Sequence, residues 1–330
     1  MSRILYSALV TALLGVAAIA PVPATAAALR LARPGEAART IASAAAFDTV
    51  ELAAGVHRGP LVVDRAIVLR GRPGAIVDGG GHGSVIEIRA GGVTVRDLGV
   101  RGSGRDVMTE DAGVRVISSP GVRLAGLEVA DVLYGIYGER ATGLVLERCM
   151  LRGRVEPRAE IGDGNGIHLW YCEDVTVRDC AVERFLDAVY LSFTHHASIE
   201  NSRFHDSGRY GLHTMYCQEN RLTGNLFTRN VAGCAIMFSN HLVIEGNDFV
   251  RNRGSRTYGV LLRDCSDGNF RANRMLDNTI AIFMDNSNRN RFEGTPSRTT
   301  AGACCCSRPA RATSSPETIS SRTTTRSRST

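Results

Sequence analysis

Residues 211–230 read GLHTMYCQENRLTGNLFTRN and residues 233–252 read GCAIMFSNHLVIEGNDFVRN, two segments that align end to end without a gap. GIHLWYCEDVTVRDCAVERF from Gly166 and AVYLSFTHHASIENSRFHDS from Ala188 fall into the same frame. Unit starts at 166, 188, 211 and 233 give a period of about 22 residues, which announces a solenoid. Each unit holds two or three short alternating apolar runs broken by Gly, Asn and Asp, and no stretch of helical periodicity. The pattern predicts an all-β fold, a right-handed parallel β-helix with one coil per unit.

Strands of successive coils stack about 4.8 Å apart, so like positions form vertical ladders. Ile167/Leu169, Val189/Leu191, Leu212/Thr214, Cys234/Ile236, Val260/Leu262 and Ile282/Met284 are predicted to point inward. The other parity, His168/Trp170/Cys172, Tyr190/Ser192/Thr194, His213/Met215/Cys217 and Ala235/Met237/Ser239, is predicted to point out. Asn225/Asn247/Asn273 and Asn230/Asn252/Asn278 form two further ladders, expected at left-handed coil corners with amides bonded from coil to coil. Phe204, Phe227, Phe249 and Met275 line up as an internal stack.

Outward from these units the chain changes character. Residues 1–26 carry Arg3, an apolar run over 4–20 and Ala24-Thr25-Ala26, the layout of a secretory signal peptide cleaved after Ala26. Residues 27–58 read as an N-terminal cap with a short helix over 34–45, and 59–294 as the β-helix. Polar insertions at 101–112, 152–165 and 253–258 interrupt the coils and are expected to leave as loops. Apolar alternation stops after Gly294, so 295–330 is expected to be a disordered tail, or one translated out of frame with further coils.

The net charge of +6 is not a nucleic-acid signature. Residues 295–330 alone carry +5 and Arg3 adds one, which leaves the coils near neutral, with no basic helix or basic aromatic patch.

The outward ladder carries the candidate chemistry. His213, Met215 and Cys217 lie on one strand, with Met237 one coil above Met215 and His241 at the next turn; His168 and Cys172 hold the equivalent places two coils below. Thioether, thiolate and imidazole suit Cu(I), so Met215, Met237, His213, Cys217, His241, His168 and Cys172 are candidate metal ligands. His168 and His213 stand about 9.6 Å apart with Tyr190 between them, which confines any one ion to the neighbourhood of Met215 and Met237. On sequence alone the same face, with Trp170 and Tyr190, reads as a protein-binding surface before it reads as a metal site.

Cys149 and Cys180 occupy one position in adjacent coils and predict either a disulfide or a stacked pair of buried thiols. Carboxylates are scattered over different ladder positions, without the pairing that polysaccharide hydrolases and lyases need. Gly81-His82-Gly83 reads as a turn.

Three stretches, DGGGHGSVIEIRAGGVTVRDLGVRGSGRD (78–106), GDGNGIHLWYCEDVTVRDC (162–180) and GRYGLHTMYCQENRLTGNLFTRNVAGCAIMFSN (208–240), resemble the NosD family of periplasmic β-helical proteins. The resemblance implies a non-catalytic factor that helps mature the copper enzyme nitrous oxide reductase. It further implies work beside an ABC transporter of membrane subunit and ATPase, with a copper lipoprotein chaperone and the apo nitrous oxide reductase as partners, and transient copper. The alternative is a secreted polysaccharide-active β-helix enzyme: a lyase, hydrolase or epimerase.

Overall fold

The computed structural model describes residues 27–154, 164–255 and 257–306. The signal peptide expected at 1–26, most of the insertion at 152–165, and 307–330 lie outside them.

The chain winds as a parallel β-helix. From Ala112 to Val250 the coils run through a longer strand, a left-handed corner, a short second strand, another corner and a short third strand. Second strands such as Thr176–Arg178, Ser198–Glu200, Arg221–Thr223 and Val243–Glu245 stack into a twelve-stranded parallel sheet. Long strands (Ile167–Trp170, Asp187–Ser192, Tyr210–Met215, Ala232–Met237, Tyr258–Arg263) and third strands (Ala181–Glu183, Arg203–His205, Leu226–Thr228, Asp248–Val250) form two further stacks. These two stacks join into one sheet of twenty strands because Arg274–Asp285 runs straight across the corner between them.

Register confirms the predicted inward ladder. Ile167, Val189, Leu212, Cys234, Val260 and Ile282 are successive Cα partners, all buried. Val177, Ile199, Leu222 and Ile244 line the second side of the core. Phe204, Phe227 and Phe249 stack with ring centroids 5.2 and 5.0 Å apart, geometry that adds about 0.5–1.5 kcal/mol per pair beyond burial.

The asparagine ladders are bonded from coil to coil, but the left-handed residue is the one before each Asn. Gly224, Gly246 and Ala272 (φ 67°, 65° and 52°) precede one ladder; Arg229, Arg251 and Asp277 (φ 57°, 58° and 58°) precede the other. That turn swings the amide inward, where its Oδ1 accepts the backbone N–H of the Asn below: Asn225 N to Asn247 Oδ1 is 2.9 Å, and Asn247 N to Asn273 Oδ1 is 3.0 Å.

Parallel pairing begins at Leu29↔Thr49, well before the predicted first coil at 59. The helix Ala37–Ser43 buries Ala37 and Ile41 in that region, within the segment expected to be helical. At the other end the ladder runs past 294: Ser297–Cys306 pairs in parallel with Arg274–Asp285. Pairing needs only the open backbone edge of the last coil, which asks little of the side chains. Cys149 and Cys180 are free and buried, the stacked-thiol alternative. Among the described residues no helix is long and apolar enough to cross a membrane.

Candidate functional site

Two adjacent columns run up the outside of the long strands. One is Tyr137↔His168↔Tyr190↔His213↔Ala235 and the other Glu139↔Trp170↔Ser192↔Met215↔Met237. Met215 and Met237 are direct Cα partners, as the period predicts. The Tyr190 hydroxyl donates to Met215 Sδ at 3.4 Å.

Rings close over the first column. His168 lies 5.1 Å from Tyr137 and 4.7 Å from Tyr190, and His213 lies 4.9 Å from Tyr190 and 5.1 Å from Tyr210, centroid to centroid. Beneath them sits Asp187, fully buried. Its carboxylate accepts from Arg209 Nε at 2.9 Å and Nη2 at 2.5 Å, from the Tyr210 N–H at 3.2 Å, and lies 3.2 Å from His213 Nδ1. Burial alone pushes the Asp187 carboxyl up, but the hydrogen bonds from Arg209 and His213 outweigh it and hold the group below the ordinary carboxylate range. A carboxylate on Nδ1 keeps that nitrogen protonated and leaves the Nε2 lone pair free. His213 Nε2 is buried and has no hydrogen-bond partner.

His168 is neutral at pH 7, because burial lowers it to about 4, against a smaller opposing pull from Asp187. Its folded pKa lies below the unfolded value near 6.5, so the unfolded chain takes up the proton first as pH falls. Stability is therefore lost from about pH 6.5 down to about 4, by up to about 3 kcal/mol over that window. Denaturant unfolding of the protein and of His168→Phe at pH 7 and pH 4.5 should show this loss in the first and a smaller one in the second.

Three predicted ligands are not on this face. Cys172 and Cys217 are buried in the interior, and Cys217 Sγ donates to the Met215 carbonyl at 3.4 Å. Alternation fails because Tyr171 and Tyr216, at φ 52° and 56°, turn left-handed and swing the next side chain inward. Burial pushes the Cys172 thiol up and the Cys217 thiol up to about 11, so neither offers a thiolate at neutral pH. Thr194 and Ser239 turn inward for the same reason. His241 is exposed around the corner, in its own left-handed position (φ 55°). Trp170 stands two coils from Met215, its ring 5.7 Å from the Arg140 guanidinium.

Sequence reasoning missed three groups. Asp187 is the first. The second is the exposed corner column Tyr171, Phe193, Tyr216 and Phe238, one residue past the outward ladder; an aromatic at that place in four consecutive units was a readable signal. The third is Glu183, His205 and Asp206, whose ligand atoms lie within 4.8 Å of one another. Glu183 and His205 border a groove of about 560 Å³ over Gly99, Ala130, Met150 and Ala181. Arg152 already holds Glu183, and Arg229 holds Asp206 at 2.5 Å, so a cation there must displace two guanidinium groups.

Solved structures share the winding. The A-module of an Azotobacter vinelandii mannuronan C-5 epimerase superposes at a TM-score of 0.63 and 15% identity, covering 88% of this chain and 95% of that one. A lacto-N-biosidase of Eubacterium ramulus gives 0.64 and 14%, over 89% of this chain and 63% of that one. At such identities the likeness is one of fold. In sequence, the chain is 33% identical over 137 residues to the "Probable ABC transporter binding protein NosD" of Pseudomonas aeruginosa; the match takes in 41% of this chain and 32% of that relative. The family model described as "Periplasmic copper-binding protein (NosD)" matches residues 145–297, the stretch that holds Asp187, His213, Met215 and Met237. Over that stretch the chain is similar to the NosD family, and it spans about a third of the length of the curated relative it matches.

Proposed function

We propose that this protein is a periplasmic accessory factor that passes copper toward the copper centre of nitrous oxide reductase. On this reading it docks an ABC transporter's membrane subunit and ATPase, a copper lipoprotein chaperone and the apo reductase, and catalyses nothing itself. One observation carries it: the thioethers of Met215 and Met237 stand one above the other beside His213, whose Nε2 is free and whose Nδ1 is held by Asp187. Two thioethers and an imidazole form a soft donor set that fits monovalent copper and suits brief tenure, since no thiolate is there to trap the ion. His168 lies behind Tyr190 and is not among the proposed donors; Cys172, Cys217 and His241 are likewise left out.

Cu(I) titration against a competing chelator tests the reading. Met215→Ala/Met237→Ala should weaken binding by at least about 100-fold, since even the groups that merely support a metal ligand contribute 10- to 100-fold. Undiminished binding in that variant sinks the proposed site. Absence of Cu(I) binding together with turnover of an acidic polysaccharide would make the protein an enzyme instead.

A further inference from the structure

We propose that the corner column Tyr171, Phe193, Tyr216 and Phe238 is a docking stripe for a protein segment that presents Arg or Lys among apolar side chains. The four rings stack at 4.7, 5.0 and 4.9 Å with planes within 12° of parallel, yet Tyr171 and Tyr216 remain 45% and 42% exposed. Their edges form a continuous apolar strip four coils tall.

The backbone does not ask for aromatics there. All four residues are left-handed, φ 47° to 56°, a conformation that costs an L-residue roughly 1–2 kcal/mol. The neighbouring left-handed corner of the same coils is filled by Asp174, His196, Glu219 and His241 at the same dihedrals. Exposed rings at a strained corner are therefore a choice of side chain rather than a demand of the winding.

Charge identifies the occupant. Glu173, Asp174 and Glu219 flank the stripe, and among the described residues the basic side chain they reach is the His196 imidazole, at 3.4, 3.9 and 3.7 Å. Elsewhere on the rod acids meet arginines, as in Asp206–Arg229, Asp248–Arg274 and Asp267–Arg289. Arg140 shows how a guanidinium is taken up at the end of the stack, 5.7 Å from the Tyr171 ring. Aromatic anchors beside acids that, among the described residues, no arginine holds are what a partner of the opposite sign needs. Met215 and Met237 immediately precede Tyr216 and Phe238, so a segment seated here borders the thioether pair.

The inference takes from the proposed function only that partners dock on this side; it does not require copper. Fluorescence anisotropy with a labelled twelve-residue peptide alternating Arg with Leu and Phe tests it, against the same peptide with Glu for Arg. The Arg peptide should bind, and Kd should rise at least about tenfold in Tyr216→Ser/Phe238→Ser and again in Glu173→Gln/Glu219→Gln, whose fold is untouched. Equal binding of the Glu peptide, or unchanged affinity in both variants, overturns the proposal; so does a phosphatidylglycerol vesicle that competes with the peptide, which would make the stripe a membrane contact. Cu(I) titration of Tyr216→Ser/Phe238→Ser separates the two claims: loss of peptide with copper retained supports the stripe independently of the copper site, whereas peptide affinity kept in both variants sinks the stripe alone.

Discussion

Arg209→Met is expected to destabilise the coil stack by about 3–5 kcal/mol, read as a fall in melting temperature by circular dichroism at pH 7. Arg209 supplies both nitrogens of a fork on Asp187, at 2.9 and 2.5 Å, and Asp187 has no exposed surface. Without the guanidinium a carboxylate is left in the interior with only the His213 ring and one backbone N–H. Removing both charges is a different experiment: Asp187→Leu/Arg209→Met should recover much of the loss, because an apolar pair of similar volume avoids the desolvation that the ion pair must overcome.

The pH dependence of the two proteins should differ in sign. In the native chain Asp187 is held below its ordinary value, so its contribution is present above pH 4 and lost only as pH falls through the folded pKa. In Arg209→Met burial pushes the carboxyl up unopposed by the fork, and protonation relieves the penalty, so the gap between variant and native protein should narrow from pH 7 toward pH 5. A gap that widens would show that the lost stability came from the packing of the Arg209 stem and not from the stranded carboxylate.

How much of this could be read from the sequence depends on what each residue answers to. Leu212, Cys234 and Val260 answer to the period and the alternation, both written in the chain, and their column was legible. Met215 above Met237 was legible for the same reason. Cys217 was not, because alternation was carried one residue too far through the left-handed Tyr216. Nothing at residue 216 marks that turn, since among the described residues twenty-seven positions other than glycine adopt it, held by residues as different as Asp, Arg, Phe and His. Asp187 escaped for the opposite reason: its Cα partner in the next coil is Tyr210, so no ladder points to it, and its partner Arg209 belongs to a coil not yet formed when the chain is read in order.

Asn247→Ala should cost about as much as the loss of Arg209, through hydrogen bonds alone. The Asn247 Oδ1 accepts from Asn225 N at 2.9 Å and Asn225 Nδ2 at 3.0 Å, while its Nδ2 donates to Leu222 O at 2.9 Å and Asn273 Oδ1 at 3.0 Å. Alanine strands two donors and an acceptor where Asn225 and Asn247 are buried to 1% and 0% exposure, at about 1–3 kcal/mol for each group left unmade. The total, about 3–9 kcal/mol, should appear both as a lower melting temperature and as faster amide exchange at Asn225. Asn247→Ser should cost roughly half as much, because the chain already makes that replacement two steps down the column, where Ser202 Oγ accepts the Cys180 N–H at 3.1 Å. Asn247→Asp separates geometry from donor supply: it keeps the acceptor for Asn225 but points a carboxylate at Leu222 O and Asn273 Oδ1, and should be worse than alanine at pH 7 and recover as the group protonates. Arg221→Ala, on the exposed side of a second strand, should move stability by no more than about 0.5 kcal/mol. If Asn247→Ala were as mild as Arg221→Ala, the amide column would be decoration on a rod held together by its apolar stacks.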